Sequence, residues 1–369
     1  LSHACPAARP EQYTSVGRRR CGDGDTDIGR AETMTTVDLR RCFPIRRPGV
    51  TAGRWLLGGA LLLALLAGFW SSGVFGPPEQ RSGPQASWSA ALFFAVIIAY
   101  IVPVVGYIGE RTLTALDALR PVLAVDDERV REWRTRIYRK PVRWLVTVMV
   151  IGAVSGAAHN LMLFEGPAVL LATALTSPPT AATVLGTALT WLVTTLAIAT
   201  LLDNAMLLAR CARHATVDLL DTSRLRPFAT VAVSSTLAII GAQAAFPIMS
   251  LQSDVSAAAF WPGLLATAVP MLGLAALPVW PIHRRIAAAR QAALQAVQGR
   301  IRALSPPDPA DHERLRALEP LLTYRRELLA VSEWPFDVGV MTRLAFYLVI
   351  PPLTWVGAAL IENAVDALL

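Results

Sequence analysis

The stretch "GGALLLALLAGFWSSGVFG" at 58–76 belongs to one of seven apolar blocks, approximately 55–75, 88–109, 142–163, 182–209, 228–251, 259–281 and 339–361. Blocks of about twenty residues match the length at which an α-helix crosses roughly 30 Å of hydrocarbon. An open sheet at that depth would leave its edge hydrogen-bonding groups unsatisfied. Hydrophobic residues make up 54% of the chain and charged residues 17%, with a mean hydropathy of +0.45, whereas a soluble domain carries more charge. The expected fold is therefore all-α, a polytopic membrane bundle of about seven transmembrane helices whose first partner is the lipid bilayer.

The loops orient the bundle. Segments 110–141, 210–227 and 282–338 are rich in arginine, as in "REWRTRIYRK" and "PIHRRIAAAR", while 76–87, 164–181 and 252–258 contain one basic residue between them, Arg81. Positive charge collects on cytoplasmic loops, so the sequence predicts a multi-pass protein of the cell membrane with its N-terminus cytoplasmic and its C-terminus external. The net charge of +7 has the same explanation, because the arginines lie between apolar blocks instead of forming one patch for nucleic acid. Lys140 is the only lysine. The cysteines, Cys5, Cys21, Cys42 and Cys211, have no metal-type spacing and read as free thiols.

Four regions follow. Residues 1–54 read as a basic, disordered cytoplasmic tail; the first methionine is Met34, and 1–33 read as sequence upstream of the native start. Residues 55–281 hold six transmembrane helices, and 339–369 a seventh with a short external C-terminus. Between them, 282–338 reads as a cytoplasmic antiparallel helical hairpin. Leu294, Val297, Ile301 and Leu304 step along one arm, "SPPDPAD" breaks it, Asp311 caps the second arm, and Leu315, Leu318, Leu322 and Leu329 continue. Residues 283–331 are the expected surface for a second copy or a protein partner. The apolar stretch 166–179 is too short to span; it either lies flat at the membrane surface or re-enters. Pro103, Pro247, Pro270 and Pro351–Pro352 fall inside spans and are expected to kink them, and Gly152 and Gly156 form a GxxxG pair suited to close helix approach.

Polar residues inside spans are the functional candidates, because an unpaired charge there costs several kcal/mol. Asp203 and Asn204 stand near the cytoplasmic end of the fourth span. With Arg143, Arg343 and Glu110 they form a candidate inner polar ring, whose bland alternative is an ion pair of Asp203 with Arg143 or Arg343; His283 also lies on that side. His159 and Asn160 form a candidate outer polar pair near the far end of the third span, and Gln243 is the best polar candidate at mid-depth. Ser155 and His159 share a helix face, but side chains on one straight helix run parallel, a poor arrangement for nucleophile and base. "DGDTDIGRAE" fails as a calcium loop because Ile28 takes the glycine position. No catalytic residues, metal site or cofactor are expected, and nothing supports an enzyme. Two classes remain: a transport or channel-like protein, favoured by the kinked spans and inner polar residues, and a membrane-embedded signalling or assembly factor acting through the hairpin.

Overall fold

The structure, a computed structural model, describes residues 36–41, 43, 52–77, 87–251, 261–304 and 312–335, with the single positions 339, 342 and 346. Among them are ten α-helices: α1 (Ala52–Ser71), α2 (Trp88–Leu119), α3 (Asp127–Tyr138), α4 (Val142–Leu163), α5 (Pro167–Thr176), α6 (Pro178–Ala212), α7 (Arg226–Gln243), α8 (Trp261–Ala276), α9 (Trp280–Leu304) and α10 (His312–Ala330). Six helical segments are long and apolar enough to cross a membrane: Gly53–Ser71, Trp88–Val122, Val142–Leu163, Pro178–Ala212, Thr222–Met249 and Pro262–Leu304. These mark a membrane protein, and they coincide with the first six apolar blocks. The seventh block at 339–361 (apart from those single positions), Arg343, Pro351–Pro352, Asp311 and residues 1–35 lie outside the described residues.

α2 is the axis of the bundle. A helix that is apolar on every side must be enclosed on every side, and Phe93, Phe94, Ile97, Ile98, Ile101, Val105 and Ile108 of α2 are all buried. Ser87 caps it, its hydroxyl accepting from the Ala90 N–H at 3.3 Å. α1, α6 and α7 pack around it. Gly58 of α1 lets the two helices meet, since a Cβ there would lie 3.0 Å from Ala99 O and 3.1 Å from Pro103 Cγ.

α4 and α6 run antiparallel in one continuous register. A Cβ on Gly152 would meet the Leu192 Cα at 3.1 Å, and one on Gly156 would meet the Ala188 Cα at 3.1 Å. Asn160 Nδ2 donates to Val184 O at 3.2 Å, and Lys140, just before α4, reaches Asp203. The GxxxG pair thus lies on the seam between two helices. The opposite face of α4 is apolar and exposed at Val146, Val150, Val154 and Met162, as a face toward lipid should be.

The arginine-bearing loops gather at one end. There the last turns of α2 and α6, the whole of α3 and the starts of α7 and α9 share a core of Leu119, Trp133, Ile137, Leu208, Phe228 and Ile282. The loops after α2 and α6 are stitched by Ala124 N–H to His214 O at 2.9 Å and Thr216 N–H to Val122 O at 2.7 Å.

A short antiparallel sheet adds to the all-α expectation. β1 (Thr36–Asp38) pairs with β2 (Arg139–Pro141) in the register Thr36–Pro141, Val37–Lys140 and Asp38–Arg139. Leu39 and Phe43 are buried beyond it, and the Arg40 guanidinium sits 3.6 Å over the Tyr138 ring. Residues 36–41 and 43 lie within the region expected to be a disordered tail, yet among them are backbone partners and buried side chains. The short alternation Val37, Leu39 was too brief to read against the polar residues around it.

Residues 167–176 form a separate ten-residue helix, α5, packed on α6 and α4 with Leu171 and Leu175 exposed. Pro103 and Pro270 lie inside α2 and α8 as expected. Pro247 does not kink an α-helix: α7 ends at Gln243 and Pro247 sits in a 3-10 turn, Phe246–Leu251. A proline ring collides with the carbonyl four residues back, which here is that of Gln243. α9 and α10 lie against each other, with Arg290 donating to Leu328 O at 2.8 Å and Leu329 O at 2.7 Å and pairing with Glu333 at 2.6 Å.

Candidate functional site

The inner polar candidates are parted into two buried ion pairs. Lys140 Nζ bonds Asp203 Oδ2 and approaches Asn204 Oδ1 at 3.4 Å, with the Lys140 and Asp203 side chains 2% and 13% exposed. Arg54 of α1 pairs with Glu110 of α2, their side chains 2% and 12% exposed. Arg143 is exposed, its carbonyl accepting from Thr147 Oγ1 at 2.9 Å. The cation that pairs with Asp203 among the described residues is thus Lys140, which the expected ring did not include, and Arg343 lies outside the described residues. His283 also lies elsewhere, stacked on Trp334 with ring centroids 4.0 Å apart and its Nδ1 3.0 Å from Glu333 O.

The reason Lys140 wins is local. Successive side chains of a strand point to opposite faces, and β2 buries Lys140 while exposing Arg139 and Pro141. The ladder to β1 aims the one lysine inward, toward the α6 carboxylate. Burial pulls its pKa below the usual lysine value; Asp203 opposes that shift by charge and hydrogen bond, and Arg136 adds to it. The Trp144 ring, 5.8 Å from Nζ, gives the ammonium a second electron-rich neighbour. The sequence signal was present, because Lys140 immediately precedes a span and is the only lysine.

Toward the other end of α4 and α6 lies a cavity of about 260 Å³. α2 contributes Phe93, Phe94 and Ile97; α4 contributes His159 and Asn160; α6 contributes Thr183, Thr187, Thr190, Trp191 and Thr194. Phe246, Met249, Gly263 and Thr267 close the remaining side. Gly263 permits this packing, since a Cβ there would meet the Phe246 ring at 3.1 Å. Among the described residues, no aspartate, glutamate, lysine or arginine lines it.

The pair His159 and Asn160 belongs to this cavity. Trp191 Nε1–H donates to His159 Nδ1 at 3.0 Å. Asn160 is anchored to the α6 backbone through Val184 O. Gln243 does not line the cavity; its Nε2 donates to Thr267 Oγ1 at 3.0 Å and steadies the wall from behind. The Thr190 and Thr194 hydroxyl oxygens are buried with no hydrogen-bond partner among the described residues. Sequence reading missed these threonines, because single hydroxyls in a span usually bond their own backbone.

The arrangement can hold an uncharged molecule by hydrogen bonds and aromatic contact. Among the described residues no cluster of three or more His, Cys, Asp or Glu side chains forms. Comparison with family models, curated proteins and solved structures finds no match.

Proposed function

We propose that the protein is a transport-class membrane protein that carries an uncharged solute, with the cavity between α2, α4, α6 and α8 as its solute site and its arginine-rich end in the cytoplasm. One observation carries this reading: a cavity of about 260 Å³ within the helix bundle, lined by His159, Asn160 and Trp191 beside phenylalanines and, among the described residues, by no aspartate, glutamate, lysine or arginine. Polar solute sites in carriers lie within the membrane-spanning bundle, where the protein replaces water as solvent. Ion movement is disfavoured on electrostatic grounds, since Asp203 and Glu110 each already face a buried cation and the cavity wall is uncharged. The test is a swelling assay on proteoliposomes with uncharged solutes of graded size, run beside ion-flux measurements. Wild type should admit small uncharged solutes and pass no ion current, and Ala266→Trp, at a position of α8 that lines the cavity, should block entry while remaining monodisperse. Ion current abolished by Asp203→Asn, or no solute entry with well-folded protein, would refute the proposal.

A second reading has its own observation. Leu315, Leu322 and Leu329 of α10 are exposed at seven-residue spacing. That is the repeat of a helix seam lacking its partner helix. It favours the assembly or signalling class, with α10 as the surface that meets a second helix.

A further inference from the structure

The arginine-rich end has one corner that the cavity does not use, where α3 runs through β2 into α4. Residues 129–143 hold six arginines and Lys140 against a single acid, Glu132. Part of that charge is matched locally: Arg129 pairs with Glu132, Arg134 with Asp117 and Lys140 with Asp203. The acids that open α3 lie at its other end, where Asp126 caps the helix and Asp127 pairs with Arg120. Arg136 and Arg139 are exposed and pair with no carboxylate among the described residues. Even Asp38, opposite Arg139 in the ladder, turns its Oδ1 to the Arg40 N–H at 2.9 Å.

The directions of these side chains follow from the backbone. β2 buries Lys140 toward α6, so Arg139, one residue earlier, points out of the bundle. Exposed Arg143 stands nine residues, about two and a half helical turns, before Gly152, and so faces away from the α6 seam. Val150, Val154 and Leu161 follow it at about two, three and five turns, and all three are exposed. The outer face of α4 is thus a straight apolar strip about 27 Å long with Arg143 at its head. Arg136, close enough for its charge to act on Lys140, completes the group. The span begins at Val142, which sets these guanidiniums at headgroup depth.

Exposed arginines that only kept this end in the cytoplasm would need no particular surface beneath them, so the strip decides. A phosphate accepts the guanidinium fork in two parallel hydrogen bonds, and the hydrocarbon below that phosphate lies along the valines. A zwitterionic headgroup brings its own cation against the arginines, so the fit is to a net-anionic one. A nucleic acid or acidic peptide has no hydrocarbon to lay on the strip. We propose that the α3–β2–α4 corner binds an anionic phospholipid, its phosphate on Arg136, Arg139 and Arg143 and a chain along Val150 and Val154. The corner holds its lipid whatever the cavity carries.

The test is lipid binding to the delipidated full chain in uncharged detergent, read by native mass spectrometry with phosphatidylglycerol beside phosphatidylcholine of the same chains. Phosphatidylglycerol should bind saturably, with affinity at least about tenfold above phosphatidylcholine. Arg136→Gln and Arg139→Gln should each weaken it about fivefold without lowering the melting midpoint, whereas Arg136→Lys, Arg139→Lys should retain most of the affinity. Arg316→Gln, Arg325→Gln, the same loss of charge at exposed positions of α10, should change nothing. Glycerol phosphate, a headgroup without chains, should fail to displace the lipid. Equal binding of the two lipids, indifference to the glutamine variants, an equal loss in the α10 pair, or displacement by glycerol phosphate would each overturn the inference.

Discussion

The Lys140–Asp203 pair makes the sharpest stability prediction. Lys140→Met keeps most of the side-chain stem and its packing, so the loss is electrostatic. It leaves a carboxylate whose side chain is 13% exposed facing no ammonium. Breaking a buried pair by removing one member costs about 3–5 kcal/mol, because the survivor keeps its desolvation penalty. Asp203→Leu strands the ammonium instead, with Asn204 Oδ1 at 3.4 Å as its remaining hydrogen-bond acceptor among the described residues, and should cost a similar amount. The double variant removes both penalties and should return to within about 1 kcal/mol of wild type. The coupling energy should therefore be at least about 5 kcal/mol. At about 2 °C per kcal/mol for a large domain, each single variant should melt about 6–10 °C lower in nanodiscs, with the double near wild type. Additive losses, or single variants within about 1 kcal/mol of wild type, would show that the pair is not the buried contact described.

The same lysine gives a pH dependence. Its folded pKa lies below the unfolded value of 10.5, so the folded chain sheds this proton first. The unfolded state holds more protons across that window, so this group's contribution to stability rises as pH climbs from the folded pKa toward 10.5. Melting midpoints from pH 7 upward should show wild type gaining on the Lys140→Met, Asp203→Leu variant, and a flat or opposite trend would contradict the assignment. On the α4–α6 seam, Gly156→Leu drives a branched side chain into backbone that a Cβ alone would already meet at 3.1 Å. It should destabilise by about 3 kcal/mol, read as a lower melting midpoint, whereas Val154→Leu on the exposed face should leave the midpoint unchanged.

Much of this architecture was legible because hydrophobic block length is a one-dimensional property. Six of the seven expected spans appear as long apolar helices, counted without knowing what any helix touches, and the seventh lies outside the described residues. The GxxxG pair was legible for a related reason: two small residues four apart fall on one face. Partner choice was harder. Asp203 reads as needing a cation, but arginines crowd every nearby loop, and only the strand alternation at 139–141 shows why Lys140 is the one turned inward. That alternation in turn depends on a partner strand a hundred residues earlier, at 36–38, inside sequence that looks irregular. The cavity was least legible. His159 and Asn160 flagged its rim, yet nothing in the sequence separates Thr190 and Thr194, whose hydroxyls find no partner among the described residues, from Thr187 and Thr200, which bond the carbonyl four residues back.

The register between α4 and α6 has a mechanical consequence. Lys140 meets Asp203 near one end of the seam, Asn160 meets Val184 toward the other, and the glycine contacts lie between. A slide of one helix past the other by a single turn, about 5.4 Å, would break both ends at once and carry side chains into the glycine notches. The two helices therefore behave as one stiff beam. With α2 held as the axis of the bundle, any opening of the cavity has to come from the Phe246–Leu251 turn with α8, swinging as a hinged panel against a fixed post.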